Sequence, residues 1–208
     1  MPDIKSRIAP LLPPEWNEDI LNALGAFPGG LKFVQTRWEE GGSDARGMHL
    51  LGTFARHPDL ARAFLTFNNH LATSSSLLVR DREMLILRLA WLRKAEYEYY
   101  QHTILGLRAG LTEAELEQLR IGPDAPGWSL EDAQLVRAVD ELVADACISD
   151  ATWEQLSERF SLQQMMDLVF LVGCYEIVAT TSKSFGITAE PDTGSLAPEL
   201  KARMQGEG

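Results

Sequence analysis

Residues 79–93, VRDREMLILRLAWLR, are apolar on nearly every side of a helix. A helix of that kind is buried, because it has no face that water solvates well. The chain must therefore build a core around it. No pair of alternating strands meets across a two-residue turn anywhere in the sequence, so the core must be made of helices. The pattern predicts an all-α fold, a bundle-like domain of about eight or nine helices. With 208 residues there is material for one substantial core, or for two small ones sharing an interface.

Residues 10–14, PLLPP, are a stiff lead-in to a helix over about 15–26 that stops at FPGG. Residues 31–45 give no clear pattern, and EEGGSDARG reads as a loop. GMHLLGTFARHP fits a helix ended by Pro58, since the residue before a proline avoids the helical region. DLARAFLTFNNHLATSS is the next helix, and the buried run follows it. Later helices announce their starts. Thr112-x-x-Glu115 is a capping box, Ser129-x-x-Asp132 is the same device with a shorter acid, and Ser161-x-x-Gln164 opens a last long helix ending near Phe185-Gly186.

AGLTEAELEQL (109–119) and ACISDATWEQL (146–156) match at an offset of 37. Each ends one helix, turns, caps and starts a short second helix. The echo predicts two related helical units within a single domain over 1–208. The first unit covers about 58–120 and the second about 128–186. A polar tail, 187–208, is loose or used in assembly. On this register His102 corresponds to Val139 and Glu98 to Leu135, which assigns chemistry to the first unit alone.

A net charge of −11 repels phosphate backbones and anionic lipid, so neither nucleic acid nor membrane is an expected partner. The longest apolar run, Leu168 to Tyr175, falls short of the ~20 residues that cross a bilayer. The N-terminus has no long apolar stretch of the secretory kind. Two cysteines, Cys147 and Cys174, form no CxxC, which points to a reducing cytoplasm.

Within KAEYEYYQHTILGLRAG, positions 95, 98, 102, 105 and 109 fall on one line of a helix. The line reads Ala95, Glu98, His102, Leu105, Ala109. Its apolar members face it toward the core, so Glu98 and His102 continue an inward seam and need partners there. At i, i+4 they can pair with each other. A buried histidine beside a carboxylate titrates near neutral pH, which suits a general acid or base. The same pair would serve as a structural link between packed helices. Glu83, in the first turn of the buried helix, also points inward. If that helix packs antiparallel on the next, Glu83 meets His102.

RDREMLILRLAWLRKAEYEYYQHTILGLRAGLTEAEL resembles the carboxymuconolactone decarboxylase and alkylhydroperoxidase D-like family. The redox branch of that family carries Glu, then Cys-x-x-Cys-x-x-x-His. Setting its His on His102 puts its Glu on Glu83 and its two cysteines on Ala95 and Glu98. Both thiols are missing here, and a dithiol peroxidase needs one to attack and one to resolve. The decarboxylase branch also lacks the pair and is similar to this chain at Glu98 and His102. The resemblance implies a homo-oligomer without a cofactor, acting on a small carboxylated lactone or aromatic-catabolism product. Decarboxylation is that branch's named reaction. His102 would give or take the proton, Glu98 would tune it, and Glu83 would be a second acid or an orienting group. A redox enzyme, or a helical ligand-binding protein without activity, is the alternative.

Other groups are candidates for holding a substrate. Arg88 interrupts a buried run and is suited to a bidentate grip on a carboxylate, or equally to a structural bond with a buried acid. His70 belongs to a polar cluster with Asn68 and Asn69. Tyr99, like Tyr97 and Tyr100, either donates to a substrate oxygen or packs. For a metal, Glu83, Glu98, His102 and His70 lack a His-x-x-x-His, a cysteine or a further acidic cluster beside them, so none is expected.

Overall fold

The computed structural model describes residues 6–191 and 193–206. Among the described residues the regular elements are one 3-10 turn, Pro13–Glu15, and eleven α-helices. The all-α expectation is met. The chain divides into two compact units, 1–74 with 180–200, and 75–179 with 201–208.

The first unit holds α1 (Glu18–Leu24), α2 (Pro28–Glu39), α3 (Met48–Phe54) and α4 (Pro58–Thr73). Trp16, Ile20, Leu24, Val34, Met48, Leu51 and Leu65 form its core. Helix α1 is shorter than expected because Asn17 caps it by accepting from the Ile20 N–H. FPGG does more than stop α1. Pro28 is the first residue of α2, where its fixed φ and missing N–H suit a helix start. Pro58 plays the same part for α4, and α3 has already ended at Phe54. The returning segment is not loose. The Phe185 carbonyl accepts from Arg7 N at 2.8 Å, and Glu190, 3% exposed, accepts from His49 N at 3.0 Å.

The second unit is built on α5 (Val79–Leu92), which is buried without a break from Glu83 to Ala90. Helices α6 (Glu96–Arg108), α7 (Glu113–Ile121) and α8 (Leu130–Asp145) pack on it, and α9 (Asp150–Arg159) packs on α8. Thr112 and Ser149, 37 positions apart, are the N-caps of α7 and α9 and accept from the N–H of Glu115 and Thr152. The two copies of the sequence echo thus make the same helix–turn–capped-helix step, and both lie in this unit. The boundary between the compact units falls after Ser74, rather than near 58 or between 120 and 128.

Helix α10 (Leu162–Phe185) has 24 residues and is long and apolar enough to cross a bilayer by length and composition, although 44% of the qualifying window is buried within the chain. The eight-residue run from Leu168 to Tyr175 understates it. Helix α11 (Pro198–Gln205) occupies part of the expected loose tail. Its last residues dock on the second unit: Lys201 pairs with Glu96 at 3.0 Å, Arg203 with Glu117 at 2.6 Å, and Met204 is 3% exposed.

Asp81 at the start of α5 is 1% exposed and accepts from Arg159 Nη2 at 2.6 Å. Burial pushes its carboxyl up, and the Arg159 charge opposes that. Arg159→Met is expected to cost about 3 kcal/mol, because it strands a buried acid. For a chain of this size that is a fall in thermal midpoint of roughly 6–12 °C at pH 7. The loss should shrink at acidic pH, as Asp81 takes up a proton. A midpoint unchanged at pH 7 would show that the acid needs no partner.

Candidate functional site

Helices α5 and α6 are joined by a tight corner. Lys94 sits there at φ +54, in the left-handed region that usually takes glycine at a helix end. Its neighbour Ala95 donates its N–H to the Ala90 carbonyl at 2.9 Å, which closes α5 and turns the chain into α6. The Lys94 ammonium donates to the Gln205 carbonyl at 2.8 Å, so the docked tail holds the strained corner.

The two helices lie back on each other, and about two turns from the corner Glu83 meets His102. His102 Nδ1 is 2.8 Å from Glu83 Oε2, with side chains 12% and 10% exposed. Gly106 sets this approach. A Cβ there would lie 2.9 Å from Leu111 Cδ1, 3.0 Å from Leu87 Cδ1 and 3.8 Å from Glu83 Cβ. A larger residue one turn after His102 would push α6 off α5. The Tyr175 ring from α10 stands edge-on to the imidazole, with centroids 5.0 Å apart. Glu83 belongs to the second turn of α5, not the first, because the helix begins at Val79.

The expected Glu98–His102 pair does not form. Glu98 is 1% exposed, and among the described residues neither of its carboxyl oxygens has a hydrogen-bond partner. The imidazole bonds instead to the acid on the facing helix. The line through α6 also turns outward earlier than its residues suggest: Leu105 is 40% exposed, while Gly106 is buried. Burial drives the Glu98 carboxyl well above the ordinary carboxylate range, and the charge of Glu176 adds to the rise. Glu176 is itself gripped by Arg93 Nε at 2.7 and 2.8 Å. The buried surroundings of Glu98 thus favour its protonated form. Glu83 is a hydrogen-bonded acid beside a histidine. Two carboxyls on adjoining helices thus have unlike surroundings, which is how one site separates a proton donor from a proton acceptor.

Arg88 does not point to a ligand. It forms a bidentate bond to Asp140, with Nε at 2.6 Å and Nη2 at 2.8 Å, and gives Nη1 to the Leu119 and Arg120 carbonyls. The structural alternative is the one realised, with Asp140 rather than Glu83 as the acid. Tyr99 is fully buried, and its hydroxyl accepts from Arg120 Nε at 2.8 Å, so it packs. His70 is exposed in the last turn of α4, within the first compact unit. Among the described residues no group of three or more His, Cys, Asp or Glu is placed to hold a metal ion. An open groove of about 430 Å³ is lined by Ile121, Asp124, Arg137, Asp140 and Glu141 among others, but not by Glu83, Glu98 or His102. Sequence reasoning missed Gly106 and Tyr175. A glycine in mid-helix one turn after the histidine was the available signal for the first; nothing local marks the second.

The sequence profile of the carboxymuconolactone decarboxylase family matches residues 58–141, the stretch that carries Glu83, Glu98 and His102. No match is found among curated proteins. Among solved structures, the debrominase Bmp8 with 2,3,4-tribromopyrrole bound superposes with a TM-score of 0.70 at 10% identity, over 97% of this chain and 98% of its own. A peroxidase-related protein from Silicibacter sp. TM1040 gives 0.68 at 18% identity, over 94% of this chain and 98% of its own. An AhpD-type protein of unknown function from Agrobacterium tumefaciens gives 0.61 at 17% identity, over 67% of this chain and 96% of its own. At these identities the likeness establishes a shared AhpD-like all-α fold.

The raised Glu98 carboxyl has a consequence for stability. The folded chain keeps a proton that the unfolded chain releases above its ordinary value of 4.5. Stability therefore falls as pH rises above that value, until Glu98 ionises in the folded state as well. One such group contributes a slope of up to about 1.4 kcal/mol per pH unit, or roughly 3–6 °C in midpoint. Glu98→Gln, neutral at every pH, should flatten the melting profile between pH 5 and pH 8.5. A variant with the wild-type slope would show that Glu98 is ionised when folded.

Proposed function

We propose that the chain is a cofactor-free acid–base enzyme of the decarboxylase type, acting on a small carboxylated lactone or a related product of aromatic breakdown. The observation that carries this reading is the contrast between Glu83, hydrogen-bonded to His102, and Glu98, buried and unpartnered one helical turn before that histidine. The family match over 58–141 supports it. So does a fold shared with a debrominase that binds a small brominated pyrrole. The same reading makes the protein a cytoplasmic homo-oligomer.

In this reaction the bond from the substrate carbon to its carboxylate breaks and carbon dioxide leaves. The electron pair moves into the conjugated lactone carbonyl, and the resulting enolate takes one proton at carbon. Glu98, whose burial favours the protonated carboxyl, would supply the proton for that step. His102 has Nδ1 committed to Glu83, so its chemistry runs through Nε2, which returns the proton to the site. Glu83 fixes the ring. Glu83 thus takes the orienting one of its two expected roles, and Glu98, expected to tune the histidine, supplies the proton instead.

His102→Gln should keep the fold and lower turnover by about 10²–10⁴-fold, the usual worth of a positioned acid or base. Screening lactone acids for release of carbon dioxide would find the substrate on which to measure it. If the pair is structural, the same change lowers the thermal midpoint and leaves turnover alone. Hydroperoxide reduction with a dithiol reductant provides the counter-test. Ala95 and Glu98 occupy the thiol positions, and Cys147 and Cys174 are both free. No thiol-dependent turnover is expected. Robust activity that disappears in Cys147→Ser/Cys174→Ser would favour the redox branch.

A further inference from the structure

The first turn of α6 is held at three points by the last described residues of the chain. Arg203 Nη2 pairs with Glu117 Oε1 at 2.6 Å, Glu117 Oε2 pairs with Arg120 Nη1 at 2.8 Å, and Arg120 Nε donates to the Tyr99 hydroxyl at 2.8 Å. The Arg120 guanidinium also lies over the Trp91 and Tyr99 rings. An unbroken series of contacts thus runs from the tail to a fully buried ring in α6. Second, Gln205 Nε2 donates to Glu96 Oε1 at 2.9 Å and Lys201 pairs with Glu96 Oε2 at 3.0 Å. The third hold is the Lys94 bond to the Gln205 carbonyl, at the corner with positive φ. Glu96 and Tyr99 stand on either side of Glu98 in the sequence. The tail therefore grips, at both ends, the turn that carries the unpartnered acid.

The bonds that keep the tail in place are weak ones. The side chains of Lys201 and Glu96 are 50% and 33% exposed, and those of Arg203 and Glu117 are 47% and 40% exposed. Ion pairs so open to water stabilise little and are screened by salt. Met204 is the only buried residue among 201–206. Helix α11, with eight residues, is too short to persist by itself. A segment with few buried contacts opens without unfolding the rest. The bond between Arg88 and Asp140 in the same unit is of the other kind, since the Arg88 side chain is 6% exposed.

We propose that residues 201–206 are a releasable strap on the candidate site, closed while its ion pairs are made and opened by ionic strength. Closed, it clamps the first turn of α6 and keeps water from Glu98. Open, it frees Lys94 from its bond at the strained corner, the first turn of α6 frays, and Glu98 gains water. The effect on the reaction rests on the role given to Glu98 above; the strap itself does not.

Amide hydrogen exchange of the full chain reads the strap directly. The Ala95 and Tyr99 amides, which donate to the Ala90 and Ala95 carbonyls, are the reporters, and the Trp153 amide, which donates to the Ser149 carbonyl in α9, is the reference. In Lys201→Glu/Arg203→Glu the reporters should exchange roughly 10-fold faster, with the reference within about 2-fold of wild type. Raising sodium chloride from about 20 mM to about 500 mM should speed the wild-type reporters about 3-fold and leave those of the double variant unmoved. Arg203→Lys, which keeps the charge, should stay near wild type. Reporters that exchange at the wild-type rate in the double variant overturn the proposal. So does a rise shared equally by the reference, which would make the tail part of the global fold, or a salt response that the double variant retains in full. Turnover separates the strap from the catalytic reading. Faster exchange with unchanged turnover leaves the strap standing and removes Glu98 from the reaction, whereas a fall in turnover without faster exchange removes the strap.

Discussion

The second unit depends on the burial of a helix that carries charge. Helix α5 is enclosed by its neighbours, yet Arg80, Asp81, Glu83 and Arg88 are on it and Arg93 ends it. A charge taken from water must be paired or neutralised, and the penalty for leaving it alone is several kcal/mol. Each neighbouring helix therefore supplies a partner. Helix α6 gives His102 to Glu83, and α7 gives Glu115 to Arg80. Helix α8 gives Asp132 to Arg80 and Asp140 to Arg88; Arg159 of α9 meets Asp81, and Glu176 of α10 meets Arg93. Apolar contact alone would let helices slide around such a core. The ion pairs fix which helix lies where and in what register, and that fixes the distance between Glu83 and His102.

Against this pattern Glu98 is the exception. It is as buried as the acids of α5 and has no counter-charge and no donor among the described residues. A leucine there would be more stable, because an unmade hydrogen bond on a buried group costs about 1–3 kcal/mol. The position is also the one where the redox branch of the family is expected to carry a thiol. In this chain the buried position favours the protonated form of a carboxyl. The chemistry changes with the residue, while the scaffold that isolates it stays the same.

Much of this organisation was legible in the sequence. The all-round apolar character of 79–93 gave the central helix, and the offset of 37 gave the two capped helix pairs. The i, i+4 spacing of Glu98 and His102 put both on one helix but misread their bonding. Spacing along one helix says which side chains are neighbours on that helix and nothing of what the facing helix offers, and the facing Glu83 outcompeted Glu98 for the imidazole. Arg88 was ambiguous for the same reason, since its partner Asp140 lies 52 residues away. Prolines were read as stops at Pro28 and Pro58, although a proline ends one helix and begins the next with equal ease. The tail read from its polarity as loose or used in assembly, but a polar helix can also dock on its own chain through ion pairs, as Lys201 and Arg203 do.

The two mid-helix glycines close the argument about what a single chain can reveal. Both weaken their helices by about the same amount, on the order of 1 kcal/mol relative to alanine. Gly106 is accounted for by atoms of its own chain, and the contact it permits brings His102 to Glu83. Gly173 sits beside open space. The inner side of helix α10 brings Tyr175 against the histidine and Glu176 near Glu98. The wall beside His102 is held by the core face of α10, where Met165, Leu168, Leu171 and Cys174 are buried.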